Sequence, residues 1–149
     1  MRAVIQRVLR AKVEIDGRVA GQIGKGILAY VSVGKGDTEK DAEWVAGKIG
    51  ELRIFADEEG KMNVGAVEVG AQVLAISNFT LHGDCRKGRR PGFDGAAEPG
   101  EAERLYDVVC KCIQDKGLRM ERGVFGAHMH VESVNDGPVT FILDSGRAL

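Results

Sequence analysis

The chain has 149 residues, a formal net charge of −1 and 44% hydrophobic residues. This size and composition favour one compact domain, expected to span residues 1–149, and exclude a protein that attracts nucleic acid through an overall positive field. Any RNA partner must therefore be held by a local basic patch.

Strands are predicted through most of the first half of the chain. Residues 2–16 are predicted to form one long strand or a bent pair of strands, followed by a short strand at Arg18–Ile23. Ile27–Val33 is almost wholly apolar, which predicts a strand covered on both faces. A short strand at Arg53–Phe55 and a longer one at Gln72–Ile76 follow. No linker or repeat divides these segments into separate units.

Two helices are predicted among these strands. Thr38 and Asp41 have the spacing of a capping box, which predicts a helix start. The buried face of this helix is predicted to carry Ala42, Val45, Ala46 and Ile49. A second helix is predicted from Glu101 to Lys116, with Gly117 as its stop. Its predicted buried face carries Leu105, Tyr106, Val109, Cys112 and Ile113. The predicted fold class is α+β, with a mostly antiparallel, barrel-like sheet and two main helices packed on its outside.

The segment Asn135–Thr140 interrupts what otherwise looks like two strands, Ala127–Val134 and Val139–Leu143. Pro138 has no amide proton and fixes φ, while Gly137 permits backbone angles closed to other residues. An X-Pro bond also adopts the cis form at modest cost. Two interpretations stay open: a plain turn between strands, or a rigid turn whose carbonyls read the handedness of a ligand. The strand after the turn is expected to face either a partner or its own core.

Few residues in the sequence form a recognisable catalytic or metal-binding pattern. Ser77 and Thr80 carry hydroxyls, but a Ser-His-Asp triad has no local support, and Thr80 alone is typical of a β-branched strand residue. His128 and His130 share a strand face without an evident third ligand. Phosphate-binding glycine motifs and the Gly-x-Ser-x-Gly elbow are missing. The sequence therefore predicts neither a metal nor a cofactor.

A long irregular loop, residues 83–100, is rich in glycine, arginine and proline. It carries four closely spaced cations, Arg86, Lys87, Arg89 and Arg90. Arginine matches phosphate geometry, and glycine lets a backbone come close. The loop either contacts the phosphates of an RNA end or is a solvated basic loop that aids solubility.

The cysteines and the N-terminal segment indicate the cellular compartment in which the protein is expected. Cys85, Cys110 and Cys112 are an odd number without zinc-ligand spacing, which favours reduced thiols in a cytosolic protein. The N-terminal segment has no apolar signal core, and the apolar run Ile27–Val31 is too short to span a bilayer. We therefore expect a cytoplasmic protein without membrane attachment.

Two segments, Ser77-Asn78-Phe79-Thr80-Leu81 and Asn135-Asp136-Gly137-Pro138-Val139-Thr140, resemble the two signature motifs of D-aminoacyl-tRNA deacylases, the D-tyrosyl-tRNA deacylase family. The resemblance extends over further segments: Met1–Val8, Lys87–Pro91, Phe125–Ala127 and on to Phe141. One departure is visible, because the family usually carries glutamine where this chain has Asn78. The shorter side chain puts any contact made from that position in doubt.

The resemblance implies an editing enzyme that hydrolyses the ester between a D-amino acid and the 3′ end of a tRNA. It also implies activity on glycyl-tRNA, since glycine has no side chain to exclude. The family forms homodimers in which a Gly-cisPro turn enters the active site of the neighbouring subunit. Gly137 and Pro138 would then select the D-enantiomer by holding its α-amino group. Arg7 would brace this selector, or else it is a strand arginine that pairs with a carboxylate.

The same resemblance places catalysis at Ser77, Asn78, Phe79 and Thr80. The backbone amides around Phe79 and Thr80 are candidates for the oxyanion site. Either the Thr80 hydroxyl attacks the ester, or the ribose 2′-hydroxyl helps to activate water, which we favour because no acid–base pair is visible. Other possible functions are a non-catalytic RNA-binding module, a glycyl- or L-alanyl-tRNA editing variant and a general esterase for small D-amino esters.

Overall fold

A six-stranded mixed sheet, curled towards a barrel, forms the centre of the fold in a computed structural model that describes residues 1–149. Its strands run in the order β2-β1-β3-β6-β7, and β8 pairs with the other edge of β1. The strands of the sheet are β1 (Arg2–Ile15), β2 (Arg18–Ile23), β3 (Gly26–Ser32), β6 (Gln72–Ser77), β7 (Arg119–Arg122) and β8 (His130–Asp144). A separate hairpin pairs β4 (Phe55–Ala56) with β5 (Met62–Val64).

The long first strand organises the sheet. β2 and β3 follow one another along one edge of β1, whereas β8 pairs along its other edge, all three antiparallel to it. β3, β6 and β7 are parallel neighbours. The predicted long strand, its turn at Asp16-Gly17 with positive φ at both residues, and the mostly antiparallel, barrel-like sheet are confirmed.

The two ends of the sheet approach each other where β2 passes β7. A Cβ atom added to Gly21 would lie 3.1 Å from the backbone oxygen of Arg122. The missing side chain at Gly21 therefore lets the two strands come close and nearly close the barrel. Seven buried residues fill the inside of this curl, Val8, Ala11, Val13, Ile23, Leu28, Leu74 and Ile76.

The two helices pack on the outside of the sheet and enclose the larger core. They are α1 (Glu39–Glu51) and α2 (Pro99–Asp115). Asp41 accepts a hydrogen bond from the Thr38 backbone amide at 2.8 Å, as the capping box predicts. The four residues predicted to form the buried face of α1 are all buried, and α2 buries Cys110 more deeply than the predicted Cys112. Together with β1, β3 and β6 these helices form a core of 25 buried residues.

Several predicted boundaries were wrong. The strand expected at Arg53–Phe55 begins only at Phe55, and α2 begins two residues before Glu101, because Pro99 suits the first helical turn. The strand expected from Ala127 starts at His130, since positive φ at Gly126 produces a turn there.

The Gly-Pro segment was predicted to separate two strands, but it forms a bulge within β8. The register with β1 moves from Val8 opposite Asn135 to Gln6 opposite Thr140, so the intervening residues of β8 have no partner across the ladder. Pairing on both sides of the bulge keeps β8 continuous from His130 to Asp144.

Candidate active site

The first motif lies where β6 leaves the sheet. The Asn78 backbone amide still donates to the Val31 carbonyl at 2.8 Å, and the chain then enters a 3-10 turn at Phe79–His82. The Asn78 side chain caps this turn, because its Oδ1 accepts from the Thr80 backbone amide at 3.3 Å and from the Thr80 hydroxyl at 2.5 Å. The Thr80 hydroxyl thus donates its proton in a hydrogen bond to an amide oxygen. An amide oxygen is too weakly basic to remove that proton.

The cap also occupies one of the backbone donors of the turn. The first amides of a helical turn have no acceptor within the turn. The Asn78 side chain uses the amide of Thr80, so the amide of Phe79 is the better candidate for binding an oxyanion. The shorter side chain of Asn78 makes this contact locally, within its own turn.

A cleft of about 800 Å³ opens beside the turn. The whole Ser77–Thr80 segment lines it together with Phe125–Ala127, which belongs to the same resemblance. Phe79 is 55% exposed and meets Phe93 of the long loop edge to face, with ring centroids 5.0 Å apart. The structure therefore brings the predicted catalytic residues together in one cavity with an aromatic rim.

The titratable residues of the cleft do not form an acid–base pair with Thr80. They are Tyr30, Lys35, Asp94, Glu98 and His128. Burial raises the pKa of Tyr30, so this phenol stays neutral at physiological pH. His128 and His130 lie with ring centroids 5.2 Å apart, but only His130 belongs to a strand, so the predicted shared strand face is wrong. No group of three His, Cys, Asp or Glu residues is arranged to hold a metal ion.

One histidine close to Thr80, His82, was not predicted from the sequence to belong to the site. His82 ends the 3-10 turn, and its Nδ1 lies 2.6 Å from the hydroxyl of Ser32 on β3. Ser32 is 2% exposed and lines the cleft. The position of His82 two residues after Thr80 was visible in the sequence, but its partner depends on how the turn packs against β3.

The basic loop forms a second cavity next to the cleft. Residues 85–91 project from a backbone pair in which Asp84 and Gly92 exchange hydrogen bonds of 2.7 and 3.0 Å. Arg86 donates to both carboxylate oxygens of Asp84, at 2.9 and 2.7 Å, which holds the pKa of that carboxyl well below its usual range. Lys87 and Arg90, without such a partner, line a groove of about 920 Å³ together with Arg2. Asp94 borders both cavities.

The second motif is an exposed bulge held by its own side chains. The Gly137–Pro138 bond is cis, and both residues are exposed. Asn135 accepts a hydrogen bond from the Val139 amide at 2.7 Å and donates to the Thr140 hydroxyl at 3.0 Å. Gly137 has φ +145°, and a Cβ there would lie 2.7 Å from the Val139 side chain. The bulge therefore has a shape that only glycine fits.

Arg7 supports the bulge from β1. Its Nε donates to the Asp136 carbonyl at 3.0 Å, and its Nη1 donates to the Ile54 carbonyl at 2.8 Å. The same Nε lies 3.5 Å from the Asp136 carboxylate, so both expected contacts of this arginine, with the turn and with a carboxylate, exist. Its side chain is 14% exposed, which leaves little freedom to move.

The structure does not bring the two motifs together within one chain. Ser77 of β6 pairs with Val31 of β3, and Val31 pairs with Ala3 of β1, so Ser77 lies at the level of Ala3. The Gly-Pro bulge of β8 lies at the level of Arg7 of β1. This offset is about 14 Å along the strands, and β1 and β3 lie between β8 and β6. Gly137 and Pro138 do not line the cleft.

Comparisons with known proteins agree with the motifs. The family model described as D-Tyr-tRNA(Tyr) deacylase matches residues 4–144. Proteins named D-aminoacyl-tRNA deacylase from Koribacter versatilis and Thermotoga petrophila are 57% and 52% identical over 147 residues, which is 99% of each chain.

Solved structures share the fold over almost the whole chain. A structure titled c-Myc DNA Unwinding Element Binding Protein superposes with a TM-score of 0.91 and 37% identity, covering 97% of this chain and 99% of that one. A probable eukaryotic D-amino acid tRNA deacylase superposes with a TM-score of 0.80 at 17% identity, covering 95% of this chain and 97% of that one. Neither α1 nor α2 has the length and apolar composition needed to cross a bilayer. The chain belongs to the D-Tyr-tRNA(Tyr) deacylase family.

Proposed function

We propose that this chain is a D-aminoacyl-tRNA deacylase, which hydrolyses the ester between a D-amino acid and the terminal ribose of tRNA and so proofreads translation. The observation that carries this proposal is that the Ser77–Thr80 motif of a deacylase family member lines an open cleft. Incubation with D-tyrosyl-tRNA tests it directly. Release of free D-tyrosine supports the proposal, whereas tRNA binding without release leaves only a non-catalytic RNA-binding module.

Catalysis rests on the backbone of the 3-10 turn rather than on a side-chain nucleophile. The Phe79 amide donates to the oxyanion that forms when water attacks the ester, and the ribose 2′-hydroxyl assists that water. The contact of the Thr80 hydroxyl with Asn78 supports this assignment, because no base is placed to activate Thr80. Ser77 lines the same wall of the cleft and shapes it.

Two substitutions at one position isolate the backbone donor. Phe79→Pro removes the amide proton at the first position of a helical turn, where proline fits, and Phe79→Ala removes only the ring. We expect Phe79→Pro to lower kcat about 100-fold and Phe79→Ala to lower it much less. Equal loss in both variants would assign the effect to the ring and contradict an oxyanion role.

A substrate ending in 2′-deoxyadenosine is expected to react very slowly, and its normal turnover would exclude assistance by the ribose.

The active enzyme is a homodimer in which the Gly137–Pro138 bulge of one protomer enters the cleft of the other. Three features support this: the distance between the motifs in one chain, the exposure of the bulge, and the apolar side chains of β8 beside it. Phe141 and Ile142 are 38% and 64% exposed there, while Val139 and Leu143 turn towards the core. The bulge carbonyls hold the α-amino group and leave no room for an L side chain.

Mixing protomers tests the shared site. A chain with Gly137→Ala and a chain with Phe79→Pro are each expected to keep only about 1% of the wild-type activity as homodimers. In a mixed dimer, one of the two sites combines a wild-type bulge with a wild-type turn, so an equal mixture should regain about a quarter of the wild-type activity. Failure to regain activity in dimers shown to be mixed would place both motifs of a site in the same protomer and contradict the proposal.

The basic loop holds the phosphates of the tRNA end. Lys87, Arg89 and Arg90 supply the positive charge, whereas the charge of Arg86 is already partnered by Asp84. Because Asp94 borders both the groove and the cleft, RNA bound in the groove would lead its terminal ribose towards Thr80. Glycyl-tRNA is accepted as a second substrate, and the enzyme works in the cytoplasm, where charged tRNA is used.

A further inference from the structure

We propose that Ser32 and His82 form a positioning pair that holds the turn Phe79–His82 against β3 in its active geometry, and that hydrolysis weakens when His82 takes up a proton. The inference rests on the proposed deacylase function, but it concerns residues outside both signature motifs. It follows from a contact between the wall of the cleft and the neighbouring basic groove.

The pair joins the end of the turn to the central sheet. The Ser32 hydroxyl and His82 Nδ1 are 2.6 Å apart, and the serine side chain is buried at the floor of the cleft. A Cβ added to Gly34 would lie 2.7 Å from His82 Nε2, so the ring is closely packed on its other side as well. The imidazole therefore lies between Ser32 and Gly34, and it also lines the basic groove.

This contact is one of three that fix the turn. The Asn78 side chain caps its beginning, and Arg2 donates to the Leu81 carbonyl at 3.0 Å. The contact of His82 fixes its last residue. Without the last contact, Arg2 would provide the only side-chain hydrogen bond that ties the residues after Thr80 to the sheet. Small displacements of a reacting group are costly in catalysis.

The charges around His82 favour the neutral ring. Burial disfavours the imidazolium most, followed by the positive charges of Arg2 and the Met1 ammonium, and these outweigh the carboxylates of Asp37 and Asp144. The pKa of His82 is therefore lowered from its ordinary value of 6.5. In the neutral ring that carries its proton on Nε2, Nδ1 accepts the Ser32 proton. In the imidazolium, both nitrogens are donors, and the buried Ser32 proton loses its acceptor.

The direction of the pH effect follows from this shift. Because the folded pKa lies below the unfolded one, the stabilisation of the neutral ring is fully present above pH 6.5 and is lost as the pH falls through the folded pKa. The hydrogen bond that Ser32 donates to Nδ1 is lost with it, since the imidazolium can only donate to the Ser32 oxygen. Deacylation should therefore decline in acid more steeply than the ester chemistry alone requires.

Substitutions of His82 separate positioning from titration. His82→Asn places an amide oxygen where Nδ1 stands but does not titrate, and His82→Ala removes the acceptor. His130→Asn, on an exposed residue outside the cleft, is the matched control. The measurement is kcat and KM for D-tyrosyl-tRNA between about pH 5 and pH 8, where an unperturbed histidine titrates.

We expect His82→Ala to lower kcat about 10-fold at neutral pH with little change in KM. The activity ratio of His82→Asn to wild type should rise several-fold towards acid, while the ratio of His130→Asn to wild type stays constant. A flat His82→Asn ratio, an unchanged kcat in His82→Ala, or a loss confined to KM would each overturn the inference.

A measurement without substrate separates this inference from the proposed function. In NMR spectra of the wild type, the amide signals of Thr80 and Gly83 should shift with the titration of His82, and in His82→Asn they should not. If the amide chemical shifts of Thr80 and Gly83 stay constant while His82 titrates, the positioning role is overturned, even in an active enzyme. If wild-type chain releases no D-amino acid, the proposed function fails, and the NMR result still decides whether the pair holds the turn.

Discussion

The turn at residues 78–82 and the bulge at residues 135–140 are held in different ways. The turn is anchored to the sheet by Arg2 and Ser32 and lies beside a cleft. The bulge is exposed and is fixed by Asn135 and Arg7. A rigid, exposed shape is suited to entering another cavity, and an anchored turn beside a cleft is suited to receiving it. This difference is what the proposed shared site requires, an exposed bulge on one protomer and an anchored turn beside the cleft of the other.

Changing the shape of the bulge should have the largest effect. In Gly137→Ala, the new Cβ would lie 2.7 Å from the Val139 side chain and 2.9 Å from its amide nitrogen, at a positive φ that L-residues avoid. We expect kcat/KM on D-tyrosyl-tRNA to fall about 100-fold with the fold intact. Gly47→Ala in α1, where a Cβ meets nothing within 4 Å, is the control for deacylation rate and thermal melting. Wild-type kinetics in Gly137→Ala would show that the bulge takes no part in the site.

Weakening the support of the bulge should have a smaller effect. A lysine in Arg7→Lys can donate to the carbonyl of Ile54 or of Asp136 but not to both in the same geometry. We expect a loss of stability of about 1–2 kcal/mol and a roughly 10-fold loss of deacylation. Chemical unfolding and D-tyrosyl-tRNA hydrolysis measure the two effects. Arg10→Lys, at an exposed position on the same strand, should change neither. Lost stability without lost activity would make Arg7 a structural residue only.

Within the turn, Thr80→Ala sharpens the contrast between backbone and side-chain catalysis. The substitution removes one hydrogen bond to Asn78 and leaves the Phe79 amide in place. We expect kcat to fall about 3- to 10-fold, the size of one such contact. Complete inactivation, with tRNA binding and melting temperature unchanged, would identify Thr80 as the nucleophile.

The smallest effects are expected in the basic loop, where two exposed arginines, Arg86 and Arg90, differ in their partners. Arg90→Ala should weaken tRNA binding several-fold and reduce the slope of log K against log salt by about 1. Arg86→Ala should have less effect on both, because Asp84 already pairs with the Arg86 guanidinium. Titration of tRNA at several salt concentrations makes the comparison. Equal losses would show that RNA displaces Asp84 from Arg86.

Much of the fold could be predicted from local patterns. Apolar runs and the Thr38–Asp41 capping box predicted β1, β3 and α1, because burial and capping leave marks at fixed spacing. The continuous β8 could not be predicted in this way. A strand can pass a Gly-Pro bulge when pairing with β1 resumes on both sides, and this depends on a partner far away in sequence.

The candidate site was predictable only in part. The motif residues Ser77–Thr80 were identified by resemblance, and the structure places them in one cleft. The use of the Thr80 amide by Asn78, the contact between Ser32 and His82, and the pairing of Arg86 with Asp84 depend on packing or turn geometry. These contacts decide which of the predicted donors and cations remain free for a substrate.

The most direct test of the account measures amino acid release from matched D-tyrosyl-, L-tyrosyl- and glycyl-tRNA by the wild-type chain. We expect rapid release of D-tyrosine and glycine, with L-tyrosine released at the rate of the uncatalysed reaction. Comparable release of D- and L-tyrosine, or release of neither, would contradict it.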